Sequence, residues 1–277
     1  GNVNSTTTLS ITLDDVNPSV SDVQLNDSDE IIRASNEIQL NVTVTDTNTI
    51  SSVFVGNDSS LDMTFVSDNV YQLNTTASSL GCSATDGSCL LTFIATDVTG
   101  NVNSSTTLSI TLDDVNPSVT NVQFNSDDQI VRVADEIQLN VTVTDTNTIS
   151  SVFVGNDSSL AMTFVSGNVY QLNTSADSLG CSASDGSCLL RFTATDVSGN
   201  VNSTTTLSIT LDDVNPSVTN VQINDSDQIV RASDAIQLNV TVTDTNAIVS
   251  VSANNDSSLA MTFVADNVYQ LNTTAGS

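Results

Sequence analysis

The chain has 277 residues and sets 32 acidic side chains against four arginines, with no lysine or histidine, for a formal net charge of −28. A surface of that sign repels nucleic acid and anionic lipid headgroups, which excludes both as expected partners, and it attracts divalent cations. Only Glu30, Glu37 and Glu136 are glutamates; the dominance of Asp, which favours turns and caps over helix interiors, points to a loop-rich β protein.

Read from the N-terminus, period-two alternation predicts strands at Thr8–Leu13, with Leu9, Ile11 and Leu13 inward, and at Val20–Asn26. It is clearest over Glu37–Asp46, where Ile38, Leu40, Val42 and Val44 face one way and Gln39, Asn41, Thr43 and Thr45 the other. Further strands are expected at Ile50–Gly56, Met63–Val66, Val70–Asn74 and Leu90–Thr96, with Phe54, Phe65, Tyr71 and Phe93 in the core. Turn residues separate them at Thr45, Gly56, Asp86 and Gly100. No apolar run reaches 18 residues and no signal peptide is present, so this stretch is not expected to insert into a membrane.

The whole set then repeats. Leu-Asp-Asp-Val-Asn-Pro-Ser-Val begins at Leu13, Leu112 and Leu211, and Gly-Asn at Gly1, Gly100 and Gly199, in steps of 99 residues. A unit this long exceeds solenoid repeats and is large enough to bury its own core. About seven strands per unit is the count of an all-β, two-sheet sandwich. The expected division is residues 1–17 as the final strand of a preceding repeat plus linker, sandwiches at 18–115 and 117–214, and an incomplete sandwich at 216–277 lacking its last two strands. Two explanations of these ends are open: a window on a longer array, or donation of the strand Val3–Asp15 to a neighbouring chain.

One cysteine pair occurs per complete repeat, Cys82 with Cys89 and Cys181 with Cys188. Neither a second pair nor a histidine is there to finish a zinc site. Free thiols remain an alternative to a local disulfide; the disulfide reading implies an oxidising, extracellular compartment.

Thr-Ala-Thr-Asp-Val-Ser-Gly-Asn at Thr193, followed by a Thr-rich strand and an Asp-Asp-x-Asn-Pro linker, resembles the tandem immunoglobulin-like repeats of prokaryotic cell-surface proteins. Antibody-type features are lacking: there is no tryptophan, and the paired cysteines are too close in sequence to bridge two sheets. The resemblance implies tandem immunoglobulin-like sandwiches in an extracellular structural or adhesive array.

In such a sandwich the second-to-third and sixth-to-seventh strand loops face the preceding domain, beside the incoming linker. That placement would gather Asp113, Asp114 and Asn116 with Asp145, Asn147 and Asp196, and, one repeat earlier, Asp14, Asp15 and Asn17 with Asp46, Asn48 and Asp97. Six oxygen-bearing side chains suit Ca²⁺, and the Asp/Asn-Pro composition is similar to cadherin linkers. The competing reading is that the loop acids cap turns and the linker acids are solvated.

N-linked glycan acceptors of the form Asn-x-Ser/Thr occur at Asn4, Asn26, Asn41, Asn57, Asn74, Asn103, Asn140, Asn156, Asn173, Asn202, Asn224, Asn239, Asn255 and Asn272. Asn41 and Asn74 lie on the outward parity of their strands; the alternative is polar strand faces that only look like acceptors. Catalysis is not expected: Asp14/Asp15 and Asp113/Asp114 are adjacent strand residues that point to opposite faces, and no His or Lys is present to assemble a nucleophile–base set. The expectation is a structural, non-enzymatic rod at the cell surface that forms a filament, stalk or surface layer with copies of itself. The alternative is an adhesin stalk that spaces a binding tip from the cell, with Ca²⁺-stiffened linkers.

Overall fold

The computed structural model describes residues 7–57, 60–83, 85–126, 128–156, 159–182, 184–254 and 258–276. Two expected acceptors, Asn4 and Asn255, lie outside them.

The first sandwich is built from β1 (Ser19–Leu25), β2 (Ile31–Ile32), β3 (Glu37–Thr45), β4 (Ile50–Gly56), β5 (Ser60–Asp62), β6 (Thr64–Ser67), β7 (Val70–Thr76), β8 (Asp86–Asp97) and β9 (Val102–Asp113). One sheet has the order β1-β3-β7-β6 and the other β2-β9-β8-β4-β5. The alternation read from β3 holds: Ile38, Leu40, Val42 and Val44 are all buried, and they meet Val53, Val55, Leu91, Phe93, Ala95, Ile110 and Leu112 from the opposite sheet. Each such side chain contributes about 1.5 to 3 kcal/mol by leaving water. After β1 the chain crosses to the second sheet, where β2 pairs in parallel with β9, Ile31 opposite Thr111 and Ile32 opposite Leu112, and covers the β9 edge. Leu80, on a 3₁₀ turn at Ser78–Leu80, is fully buried in the same core.

The second copy repeats this order between Ser118 and Asp212, around its own core of Ile137, Leu139, Val141, Phe192, Ile209 and Leu211 among others. The third keeps the four-stranded sheet, Ser217–Ile223, Ala235–Thr243, Val268–Thr274 and Thr262–Ala265. Its counterpart of β4 shrinks to Ser252–Asn254, paired only with Ser258–Ala260, and Val251 is only half-buried where its counterparts Val53 and Val152 are buried. In the complete copies that strand pairs along β8; with no β8 counterpart in this chain, its apolar face has nothing to pack on.

Thr8–Leu13 corrects one expectation. It forms no strand, and Leu9, Ile11 and Leu13 are 90%, 72% and 81% exposed. Its counterpart in β9 is held by β8 on one side and β2 on the other, and among the described residues nothing takes their place. The strands number nine rather than about seven, because β2 and β5 are too short to show a period. Of the four aromatic residues expected in the core, Phe93 is fully buried and Tyr71 packs half-buried against that core, while the other two face outward. Phe54 lies on the outward parity of β4, between buried Val53 and Val55. Phe65 is 55% exposed on the edge strand β6, with its ring edge-on to Tyr71 at 5.5 Å between centroids.

Candidate metal centre at the interdomain joints

Local turn chemistry prepares the loop acids. Asp46 accepts the backbone N–H of Asn48 at 2.8 Å, and Asp145 that of Asn147 at 2.9 Å, which tightens the turn after β3 and its counterpart. At the end of β8, Asp97 Oδ1 accepts the N–H groups of Thr99, Gly100 and Asn101 at 2.8, 2.7 and 2.9 Å, and Oδ2 accepts from the Asn101 amide at 2.8 Å. The linker delivers the third acid. Asp14, Asp46 and Asp97 each place a carboxylate oxygen within 4.8 Å of the others, and Asp113, Asp145 and Asp196 repeat the arrangement 99 residues later.

The joint between the first two sandwiches is the more enclosed. Asp113 and Asp196 are buried, with Ser198 and Asn200. The Ser198 hydroxyl oxygen lies 2.9 Å from Asp113 Oδ2 and 2.7 Å from Asp196 Oδ1, and its single proton is shared between them. The Asn200 amide nitrogen lies 2.9 Å from Asp196 Oδ2, 3.2 Å from Asp113 Oδ1 and 2.9 Å from the Asp113 carbonyl oxygen. Asp86 of the preceding sandwich lies outside that 4.8 Å set, but it stands opposite Asp113 across the β8–β9 ladder, and its Oδ2 accepts from Thr146 of the following sandwich at 3.1 Å. Like charges directly opposite on a ladder are destabilising.

These carboxylates have hydrogen-bond donors but no cation from the protein. Among the described residues the ion pair is Arg33 with Asp114 at 3.9 Å, partly exposed and outside the cluster. Burial pushes the Asp145 carboxyl up from its ordinary value; the Asn147 N–H opposes that, and the charges of Asp113, Asp196 and Asp86 add to it. At Asp97 burial also works against the charged form, but the donors from Asn101, Thr99 and Gly100 win and hold it well below the usual carboxylate range. Two unit charges 4.8 Å apart repel by about 3 kcal/mol at an effective dielectric of about 20. The set fits one kind of ligand. Two oxygens bound to one Ca²⁺ at about 2.3 to 2.6 Å can lie at most about 5 Å apart, and an all-oxygen, carboxylate-rich set suits a hard cation.

The expected ligands divide. Asp14, Asp46 and Asp97, and Asp113, Asp145 and Asp196, come together. Asp114 turns to its own domain, accepting the Ala34 N–H at 3.1 Å beside Arg33, because alternation sends neighbours to opposite faces. Asp15, Asn17 and Asn116 are exposed. Asn48 donates to Asp14 at 2.6 Å, whereas the Asn147 amide nitrogen is buried without a partner. Asp86 is expected from the sequence only as a turn residue, whereas it opens β8 in register with Asp113; Ser198 and Asn200 are not singled out there.

Both cysteine pairs are disulfides, Cys82–Cys89 and Cys181–Cys188, each with Cα atoms 5.7 Å apart. The glycan acceptors also divide. On the outward face of β3 and β7, Gln72 donates to the Asn41 oxygen at 2.9 Å and Gln39 to the Asn74 oxygen at 3.0 Å. The same pairing holds Asn140, Asn173, Asn239 and Asn272. Asn103 and Asn202 instead donate their amide nitrogens to the Pro18 and Pro117 carbonyls at 2.8 Å, a use that competes with glycan attachment. The Asn26 and Asn224 oxygens accept the N–H of Gln39 and Gln237. The Asn57 amide contacts the Cys89 sulfur, and Asn156 is exposed.

No protein family matches the chain, and no curated protein matches it. Among solved structures it is similar to a segment of a 1.5-MDa bacterial ice-binding adhesin, at 16% identity over 95% of this chain and 89% of that one, with a TM-score of 0.44. It is similar also to fibronectin(III)-like modules of Clostridium thermocellum CbhA, at 17% identity, 70% and 93% coverage and a TM-score of 0.36. The Escherichia coli adhesin FdeC follows at 14% identity, 96% and 90% coverage and a TM-score of 0.34. The strand order of the chain itself makes it a tandem array of immunoglobulin-like β-sandwiches.

Proposed function

We propose that the chain belongs to an extracellular structural rod on a cell surface, with sandwich joints stiffened by Ca²⁺. The observation that carries this reading is the carboxylate triad at the joint, Asp113, Asp145 and Asp196, repeated as Asp14, Asp46 and Asp97. Linker, turn and strand end are drawn to one point, and a cation there ties the orientation of one sandwich to the linker that precedes it. Two disulfides support an oxidising compartment, and a tandem rod with no His or Lys supports a mechanical rather than catalytic role. Outward-facing Asn41 and Asn74, with their counterparts, are the proposed glycan carriers. Small-angle X-ray scattering of the full chain in millimolar CaCl₂ and in excess EGTA tests the joint. A longer, stiffer particle in calcium is expected; identical profiles overturn it.

A second reading, lateral assembly of copies into a filament or layer, is favoured by β6 and its counterparts. Phe65, Val66, Phe164, Val165, Phe263 and Val264 are each more than half exposed on an uncharged edge strand in a highly acidic chain. Sedimentation velocity at high salt should show concentration-dependent association that the triple variant V66K/V165K/V264K abolishes. A wild-type monomer at every concentration sinks this reading.

A further inference from the structure

We infer that the cation site at the joint is completed from the preceding sandwich: Asp86 is a ligand reaching across the joint, and Asp185 has the same role in the next repeat. The inference rests on the cation-stiffened joint proposed above and changes what that joint is. With Asp86 included, the cation ties two folded sandwiches to each other; without it, the cation would only fasten a linker to one of them.

Three observations beyond the acidic cluster itself support the assignment. Asp86 Oδ1 is fully buried and has no hydrogen-bond partner, and Asp185 Oδ1 repeats this one copy later. A buried carboxylate oxygen without a donor costs a large desolvation penalty and calls for a ligand. The Asn200 side chain is 2% exposed, and its Oδ1 is likewise buried and unpartnered while its amide nitrogen lies against Asp113 and Asp196. This leaves an unpartnered neutral oxygen on a side chain whose nitrogen already touches Asp113 and Asp196. Finally, Asp86 is held in place from the far side of the joint. Its Oδ2 accepts from Thr146 of the next sandwich at 3.1 Å, and Asp185 accepts from Thr245 at 3.0 Å.

The cysteines explain how the first residue of β8 keeps that position. Cys82 and Cys89 are buried in the core and bonded to each other, closing the loop that carries Asp86. The Thr85 carbonyl accepts the Asp114 N–H at 2.8 Å, tying the same loop to the outgoing linker, and Ser184 does so for Asp213 at 2.7 Å. Disulfide, linker and acid therefore form one unit facing the following sandwich. In this chain all four positions are filled only at the joint between the first and second sandwiches. The site before it has Asp14, Asp46 and Asp97, and the one after it has Asp185 with Asp212 and Asp244.

Isothermal titration of the full chain with CaCl₂, alongside D86N and the charge-matched surface control D62N, tests the assignment. One tightest site is expected in the wild type, weakened at least tenfold in D86N and unchanged in D62N. Thermal unfolding in EGTA supplies a second reading: relief of repulsion should make D86N unfold at a higher temperature than wild type, whereas a purely structural role would lower it. Wild-type binding that D86N leaves unaltered overturns the assignment alone. A wild-type chain that takes up no Ca²⁺ overturns both the assignment and the joint reading beneath it.

Discussion

Asn200 donates its amide nitrogen to Asp113 at two points, 2.9 Å to the main-chain oxygen and 3.2 Å to the carboxylate, across 87 residues of sequence. The linker is thus gripped by the sandwich that follows it, and Asn101 repeats the main-chain contact to Asp14 at 3.1 Å. This clamp comes from the protein alone; the proposed cation would act on a linker already in place.

Removing the clamp should be costly. Asn200→Ala leaves buried Asp113 and Asp196 short of a shared donor, and hydrogen bonds to charged groups are worth about 1.5 to 3 kcal/mol. We expect a loss of about 2 kcal/mol for the second sandwich in urea denaturation; a loss below about 0.5 kcal/mol would show that the amide contributes little.

Two carboxylates predict opposite pH responses. Asp97 is held below the ordinary aspartate value, so its contribution to stability is present above that value and is lost as pH falls through the lower folded one. Asp145 is raised above the ordinary value, so its contribution is present below that value and lost as pH rises through the folded one. In EGTA at neutral pH, Asp145→Asn should therefore raise the unfolding temperature, and in CaCl₂ the advantage should shrink or reverse as a ligand is lost. Asp97→Asn should lower stability at neutral pH and flatten the acid limb. Melting curves across pH, with and without calcium, check both signs.

Two phenylalanines in one sandwich should behave unlike each other. Phe93 is fully buried between the sheets, and Phe93→Ala is expected to cost about 3 to 5 kcal/mol. Phe65→Ala loses mainly the edge-on contact with Tyr71 and should cost about 1 kcal/mol or less. Equal losses in chemical denaturation would contradict the outward placement of β6.

The β6–β7 hairpin turns on two residues with positive φ: Asp68 and Asn69 at 50° and 66°, Gly167 and Asn168 at 56° and 66°, and Asp266 and Asn267 at 51° and 63°. This is the pattern of a tight primed turn. A Cβ on Gly167 meets nothing within 4 Å, so Gly167→Ala should cost only backbone strain, about 1 kcal/mol. Gly167→Asp should cost less, since Asp occupies that position in the other two copies; thermal midpoints of the two variants decide.

Much of the fold is legible in the sequence. The 99-residue period set the number of copies, the alternation through Ile38, Leu40, Val42 and Val44 picked the buried face of β3, and cysteine spacing pointed to the disulfides. The acids of turn, strand end and linker could be grouped because an immunoglobulin-like order fixes which loops share an end. Periodicity could not say which face of a strand meets a partner, nor whether a partner exists: Thr8–Leu13 alternates as well as its counterpart in β9 but stays unpaired, and Phe65 lies on an edge. It also could not separate Asp113 from Asp114, whose roles follow from the parity of β9 as it leaves the sheet.

What the sequence by itself determined is the local and the repeated: strand alternation, turn chemistry, the copy number and the sign of the charge, all encoded within a few residues or in exact recurrence. Only the tertiary structure decided that Asp86 faces Asp113 and reaches Thr146 of the next sandwich. That meeting depends on ladder register and on the packing of one sandwich against another, and neither leaves a mark in neighbouring residues.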